Sequence, residues 1–225
     1  MLGQIDTDLW VIERAHRYLG VEIVTRMTVI KLADGSLFVH SPVRLDEVTR
    51  ASMDKLGPVK HVVAPNRFHH LFVSDYPKIY PDVKIYGAPG LDTKRPDLHF
   101  DAILSEIPPS VWSGQIDQIV FRPFGALNET IFFHRRSRIA LFTDLMFNVN
   151  RSDSALTRIV LGLDGGFRGL AVPRMFRLPI RMRRRLALDA LARILEWDFD
   201  RLTVAHGDVV EGGAKTAMRN AWSFL

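Results

Sequence analysis

Four short stretches place ligand-type side chains where an apolar run ends or begins. They are PNRFHH, with Asn66, His69 and His70; LFTDLMF, with Asp144; VAHGD, with His206 followed by Gly207 and Asp208; and GALNETIFF, with Asn128 and Glu129. Imidazole and carboxylate are the side chains that hold a divalent metal when no thiolate is available, and this chain has no cysteine. The same groups serve as general acid or base beside a bound substrate. Asp144 lies between Phe142 and Met146. A carboxylate in such surroundings is costly unless it is hydrogen-bonded, paired or bound to a cation. Plainer roles compete with these. His69 and His70 are adjacent on a helix-like piece, so at most one faces a given pocket, and a lone histidine there is commonly a surface or capping residue. His206-Gly207 is also a turn pattern in which the glycine supplies a positive φ.

The elements that must position these groups can be read from periodicity. EIVTRMTVIKL and SLFVHSP are rich in β-formers and are separated by Asp34-Gly35, a hairpin signal. The first 42 residues therefore read as an antiparallel sheet. In LDEVTRASMDKLG, Leu45, Val48, Met53 and Leu56 keep a helical spacing and Gly57 is a stop signal. KHVVAP is a short buried strand, FHHLFVSDYPKIYP a helical piece ended by prolines, and VKIYGAPG the next strand. Strands return at QIVFRPF, ETIFFH and RIALFTDLMF, the last two joined as a hairpin by RRS. A helix is expected over residues 181–196, a last strand in DRLTVAHGD and a closing helix in GAKTAMRNAWSFL. The pattern is that of a mixed α/β chain with sheets inside and helices outside. One domain is expected over residues 1–225, with an arginine-rich insert at about 151–185.

Bulk properties narrow the choice of function. Hydrophobic content of 47% and charged content of 24% are ordinary for a globular chain. No apolar run of about 18 residues is present, so no membrane span is expected. The first residues carry early acids and no positive-then-apolar layout, so a secretory signal is not expected and a cytoplasmic location is. The net charge of +5 is mild but uneven: residues 168–185 hold seven arginines and no acid.

The stretches MTVIKLADGSLFVHSPV, VVAPNRFHHLFVSDY, GALNETIFFHRRSRIALFTDLMFN, EWDFDRLTVAHGD and GGAK, spread over nearly the whole chain, resemble DUF4336, a divergent branch of the metallo-β-lactamase superfamily. The resemblance implies a four-layer αββα sandwich. In active members of the superfamily a His-x-His-x-Asp-His loop, a later His, an Asp and a last His bind one or two metals, usually zinc. Asp144 stands where the Asp would be, with Thr143 in place of the usual Gly, and His206 stands where the last His would be. The early motif departs: one frame puts Asn66 and Phe68 on its histidines and His70 on its Asp, another puts His70 on its last His. Ala126 falls in register with the later His, and HSPV, with His40 and Ser41, replaces the usual Asp-Thr-Gly.

The expectation carried forward is a metal-dependent, hydrolase-like protein with a divergent mononuclear site. His70, Asp144 and His206 would bind one divalent ion, zinc first, with manganese or iron also suited to such ligands. Glu129 or His69 would be a further ligand or a general base, and Asn66 a helper. The arginine-rich stretch would favour a small anionic substrate. It also suits a solvated helix face, contact with an anionic membrane surface, or non-specific phosphate binding, although nothing else points to a nucleic-acid module. The alternative is an inactive member of the fold that acts by binding an anionic partner or surface. No side-chain pattern names the substrate.

Overall fold

The computed structural model describes residues 2–18 and 20–225, with main chain only at positions 16 and 18. One sheet has seven strands in chain order: β1 (Gly3–Asp6), β2 (Leu9–Tyr18), β3 (Val21–Lys31), β4 (Leu37–His40), β5 (Val59–Ala64), β6 (Lys84–Gly87) and β7 (Ala102–Ile103). Its first four strands are antiparallel, and β4 to β7 run parallel. The other sheet contains β8 (Ile116–Phe121), β9 (Glu129–His134), β10 (Ile139–Leu141) and β11 (Arg201–Thr203), in the spatial order β11-β10-β9-β8. Only its β10–β11 pair is parallel.

The layers follow from the two-residue period of the strands. Ile30, Phe38 and Val63 point into a core shared with Phe132 and Leu141 of the other sheet, and Trp112 fills its centre. Their neighbours Val29, Val39 and Val62 face the opposite way. They pack under α1 (Glu47–Leu56) and the segment around Val73 and Tyr76. On the far side, Ile131 and Phe133 face α5 (Arg174–Met182), α6 (Arg184–Glu196) and α7 (Ala214–Ala221). Each sheet thus has one face toward the other sheet and one toward helices, which gives the expected αββα order.

Local signals explain the boundaries. Asp46 caps α1 by accepting the Thr49 N–H at 2.7 Å, and the N–H of Gly57 closes the helix on Met53. The 68–81 stretch is not one helix. It turns from Asn66 to Phe72, makes a 3₁₀ turn at Val73–Asp75, and only then forms the four-residue α2 (Tyr76–Ile79), with Pro77 in its first turn. α3 (Leu91–Lys94) is equally short, whereas α4 (Ala155–Asp164) is a full helix in a stretch that reads by eye as an insert. The helix expected over 181–196 is broken at Arg183.

The two sheets are tied together beside the end of β11. The Arg26 N–H of β3 donates to the Ala205 carbonyl at 2.9 Å, and the Arg26 guanidinium donates to the Val204 carbonyl at 2.6 Å. Arg26 is itself buried and paired with Glu13. Removing packing between the sheets is expected to be costly. Phe132→Ala should lower the unfolding free energy by about 3–5 kcal/mol, read as a shifted urea midpoint with the far-ultraviolet circular dichroism retained.

Candidate metal centre

Strands β4, β5, β10 and β11 all end on one side of the sandwich, and antiparallel β9 begins there. That placement gathers Ser41, Asn66, Asp144, His206 and Glu129 from five distant parts of the chain. His206 lies three residues past β11 and is buried. Its Nδ1 donates to the Val24 carbonyl at 2.8 Å, which leaves the Nε2 lone pair facing inward. That Nε2 is 3.0 Å from Asp144 Oδ1 and 3.3 Å from His69 Nε2. His69 Nε2 is 3.4 Å from Asp144 Oδ2. The ligand-type atoms of His69, Asp144 and His206 all lie within 4.8 Å of one another.

Each of these side chains is held from behind. His69 Nδ1 contacts Ser41 Oγ at 2.7 Å. Ser41 is buried and adopts φ +57°, a left-handed conformation uncommon outside glycine, asparagine and aspartate. Asn66 accepts the main-chain N–H of Phe68 and of His69 through Oδ1, both at 2.8 Å. Those two donors fix which end of the amide is oxygen. The Asn66 Nδ2 then donates to Asp144 Oδ2 at 2.7 Å, to Thr143 Oγ1 at 2.8 Å and to Glu129 Oε2 at 3.2 Å. Past Asp144, Asn148 donates its N–H to the His206 carbonyl at 2.9 Å, and the Phe147 ring meets the His206 ring edge-on. Gly207 has φ +112°, and a Cβ there would fall 2.1 Å from the Asn148 carbonyl oxygen, so only glycine lets the two segments close. The same 147–149 segment bridges to Ala171 and Phe167.

The structure brings together His69, rather than His70, with Asp144 and His206. His70 turns the other way, with Nδ1 2.9 Å from the Arg95 guanidinium, which can only donate. Burial and the charges of Lys94 and Arg95 push the His70 ring down to about 4. A ring beside two fixed positive charges is a poor place for a metal ion. Glu129 does not offer a free carboxylate. It is fully buried, Oε1 accepts the Thr143 N–H at 2.8 Å, and Oε2 accepts those of Asp144 at 2.7 Å and Leu145 at 3.1 Å. It shapes the turn that carries Asp144. Ser41 stands out in the sequence only as part of the HSPV that replaces Asp-Thr-Gly, and its contact with His69 depends on a backbone angle that no neighbouring residue type announces.

Electrostatics match the geometry. Burial alone would raise the Asp144 carboxyl, but the His69 charge and the two imidazoles within hydrogen-bond reach of its oxygens hold it well below the ordinary carboxylate range. Burial works to lower the His69 ring, and the charge and hydrogen bond of Asp144, with the charge of Glu129, outweigh it and raise the pKa. Burial and then the Asp144 charge push Glu129 up, against its hydrogen bonds. His40, packed on Phe132 with no partner for its Nε2 among the described residues, is pushed down to about 3 by burial and by His69.

The donor set fits a cation. With Nδ1–H spent on Val24, His206 presents an acceptor to an acceptor carboxylate, and only a proton or a metal ion between them makes that contact favourable. In a tetrahedral site with bonds of about 2.1 Å, donors sit about 3.4 Å apart, close to the 3.0–3.4 Å separations here. The three side chains keep 5–11% exposure, so the site is not sealed.

Two outcomes follow for metal-stripped protein. Glu129→Gln replaces an acceptor facing three N–H groups by an amide, and should cost about 1.5–3 kcal/mol in chemical denaturation. The raised His69 pKa contributes stability that is complete below the unfolded value of about 6.5 and is lost as pH rises through the folded value. His40, His61, His70 and His134 all shift downward and titrate below that window. Chelator-treated protein should therefore lose stability on the alkaline side of about pH 6.5, and His69→Gln should flatten that limb in a pH series of melting curves.

Several solved structures share this fold. The DIM-1 metallo-β-lactamase exposed to ceftazidime aligns with TM-score 0.68 and 14% identity over 99% of this chain and 96% of its own. A metallo-β-lactamase from Hirschia baltica aligns with TM-score 0.67 and 10% identity over 100% of this chain and 97% of its own. The metal-soaked Flv1 flavodiiron core from Synechocystis sp. PCC6803 aligns with TM-score 0.67 and 11% identity, over 100% of this chain and 60% of its own. At such identities the likeness concerns the fold, which is that of the metallo-β-lactamases. Comparison with curated proteins gives no match. The model of a domain of unknown function, DUF4336, matches residues 6–164, more than half of the chain. With its fold and the matched span in agreement, the chain belongs to the DUF4336 family.

Proposed function

We propose that His69, Asp144 and His206 hold a single divalent cation and that the pocket carries out metal-assisted hydrolysis of a small anionic substrate. The observation that carries this reading is the convergence of three ligand atoms within 4.8 Å, with His206 fixed in the tautomer that turns Nε2 inward. Two imidazoles and a carboxylate suit zinc, and manganese or iron next. Three protein ligands leave a position for substrate. A cation held there supplies Lewis-acid polarisation of a carbonyl or phosphoryl oxygen.

The chain's own residues do the rest. Val24 and Ser41 orient the two imidazoles, as outer partners of metal-binding histidines usually do. Asn66 holds Asp144 Oδ2 with an N–H where a second cation would need a lone pair, which supports a mononuclear centre. Arg14, Thr25, Val43, Arg44 and Phe72 wall a groove of ≈ 390 Å³. Val43, Arg44 and Phe72 lie within three positions of Ser41 or His69 in the chain. Arg14 is paired with Asp46, whereas Arg44 lies over the Phe72 ring and has no acidic partner among the described residues. Arg44 is our candidate for binding the anionic end of the substrate.

A second reading has one observation behind it. Protons in place of a metal ion between the two imidazoles and an ionised Asp144 satisfy the pocket without any metal, and the protein would then act by binding alone. Elemental mass spectrometry on untagged protein separates the two. About one equivalent of metal, as a three-ligand site takes, lost in His69→Ala, Asp144→Ala and His206→Ala but kept in His70→Ala, is the expected result. Ser41→Ala should weaken metal affinity about 10–100-fold. No metal after incubation with zinc and manganese would leave the binding reading.

A further inference from the structure

Helix α4 is amphipathic the wrong way round. Leu156, Ile159, Val160 and Leu163 keep the i, i+3, i+4, i+7 spacing of a core-facing stripe, yet they are 50%, 60%, 37% and 71% exposed. Its buried residues are Thr157 and Leu161. Thr157 attaches the helix to β3 through a polar pair, accepting the Glu22 N–H at 3.0 Å and donating to the Glu22 carbonyl at 3.2 Å. Helix α5 repeats the pattern. Phe176 and Ile180 anchor it, while Met175, Leu178 and Met182, one stripe at i, i+3 and i+7, are 70%, 69% and 81% exposed. The two helices are joined end to end, because Asp164 Oδ1 accepts the Met175 N–H and Arg174 donates to the Leu163 carbonyl, both at 2.9 Å.

The charge on this face is one-sided. Eight arginines lie between residues 158 and 185, against one acid, Asp164, which is used as the cap just described. Among the described residues none of these arginines forms an ion pair. Arg174 and Arg181 on α5, Arg183 just after it and Arg185 at the start of α6 are all exposed. An outward apolar stripe flanked by unpaired cations has one surface that complements both properties: an anionic lipid interface, where the stripe enters the acyl boundary and the arginines meet the headgroups. A second copy of the chain would bring like charges together, and a nucleic acid would use the arginines but leave the stripe in water.

We propose that α4 and α5 together form a docking surface for an anionic membrane interface, independently of what the pocket binds. The test is vesicle sedimentation of the full chain with phosphatidylcholine alone and with added phosphatidylglycerol. The wild type should bind only the anionic vesicles. Each arginine removed in the set Arg181→Gln, Arg183→Gln and Arg185→Gln should weaken binding about fivefold. The set Met175→Ser, Leu178→Ser and Met182→Ser keeps the charge and should abolish binding. All six positions are exposed, and circular dichroism checks that the variants fold. Failure of the wild type to bind would overturn the proposal. So would full binding by the serine variant, which would mean ionic adsorption only. A wild-type dimer that the serine variant dissociates, with no vesicle binding, would assign the stripe to a second copy instead.

Discussion

Two carboxylates, Glu129 and Asp144, are buried in one hydrogen-bonded network, where each destabilises the charge of the other. Such a pair persists only if donors converge on it from several directions. Those donors account for much of the local structure. Three successive N–H groups, from Thr143 to Leu145, must point at Glu129, which forces a tight turn after β10. One amide must reach both acids, which holds Asn66 at the end of β5. Two imidazoles must meet the remaining edge of Asp144, which draws in the loop after Asn66 and the segment after β11. The chain ends of four strands are thereby fastened to one another by polar contacts at the rim of an apolar sandwich.

Much of the architecture was legible because its residues obey a period. The alternation in VVAP, ETIFFH and RIALF divides each strand between two cores, and the Asp-Gly and Gly punctuation marks where strands and helices stop. β2 is harder to see. Its described charged residues Glu13, Arg14 and Arg17 reach water, and among its described side chains only Leu9 and Ile12 are buried. Asp144 and His206 stand out because a polar side chain at the end of an apolar strand needs a reason. The choice between His69 and His70 is invisible to periodicity. It depends on the turn that Asn66 imposes by accepting two successive N–H groups, whereas the motif frames of the resemblance favour His70. Ser41 is hidden for a related reason, since its contact exists only at φ +57°.

The departure from the metal motif that the sequence resemblance implies also has a physical content. Where an imidazole is expected as a lone-pair donor, Asn66 presents N–H groups, and Glu129 fills its own lone pairs with main-chain donors. On this side of the pocket Asn66 and Glu129 are scaffold rather than ligands. The other side, with its imidazoles held from behind by Val24 and Ser41, keeps the polarity that a cation requires.

The 147–149 segment has a mechanical meaning. On one side it is hydrogen-bonded to the chain at His206 and Asp208; on the other it bridges Phe167 and Ala171, which lie between the two outward-facing helices. Three consecutive residues are therefore shared between the pocket wall and the helical arm. The distance from that arm to the His206 ring is set by one short strand, which Gly207 lets approach closely.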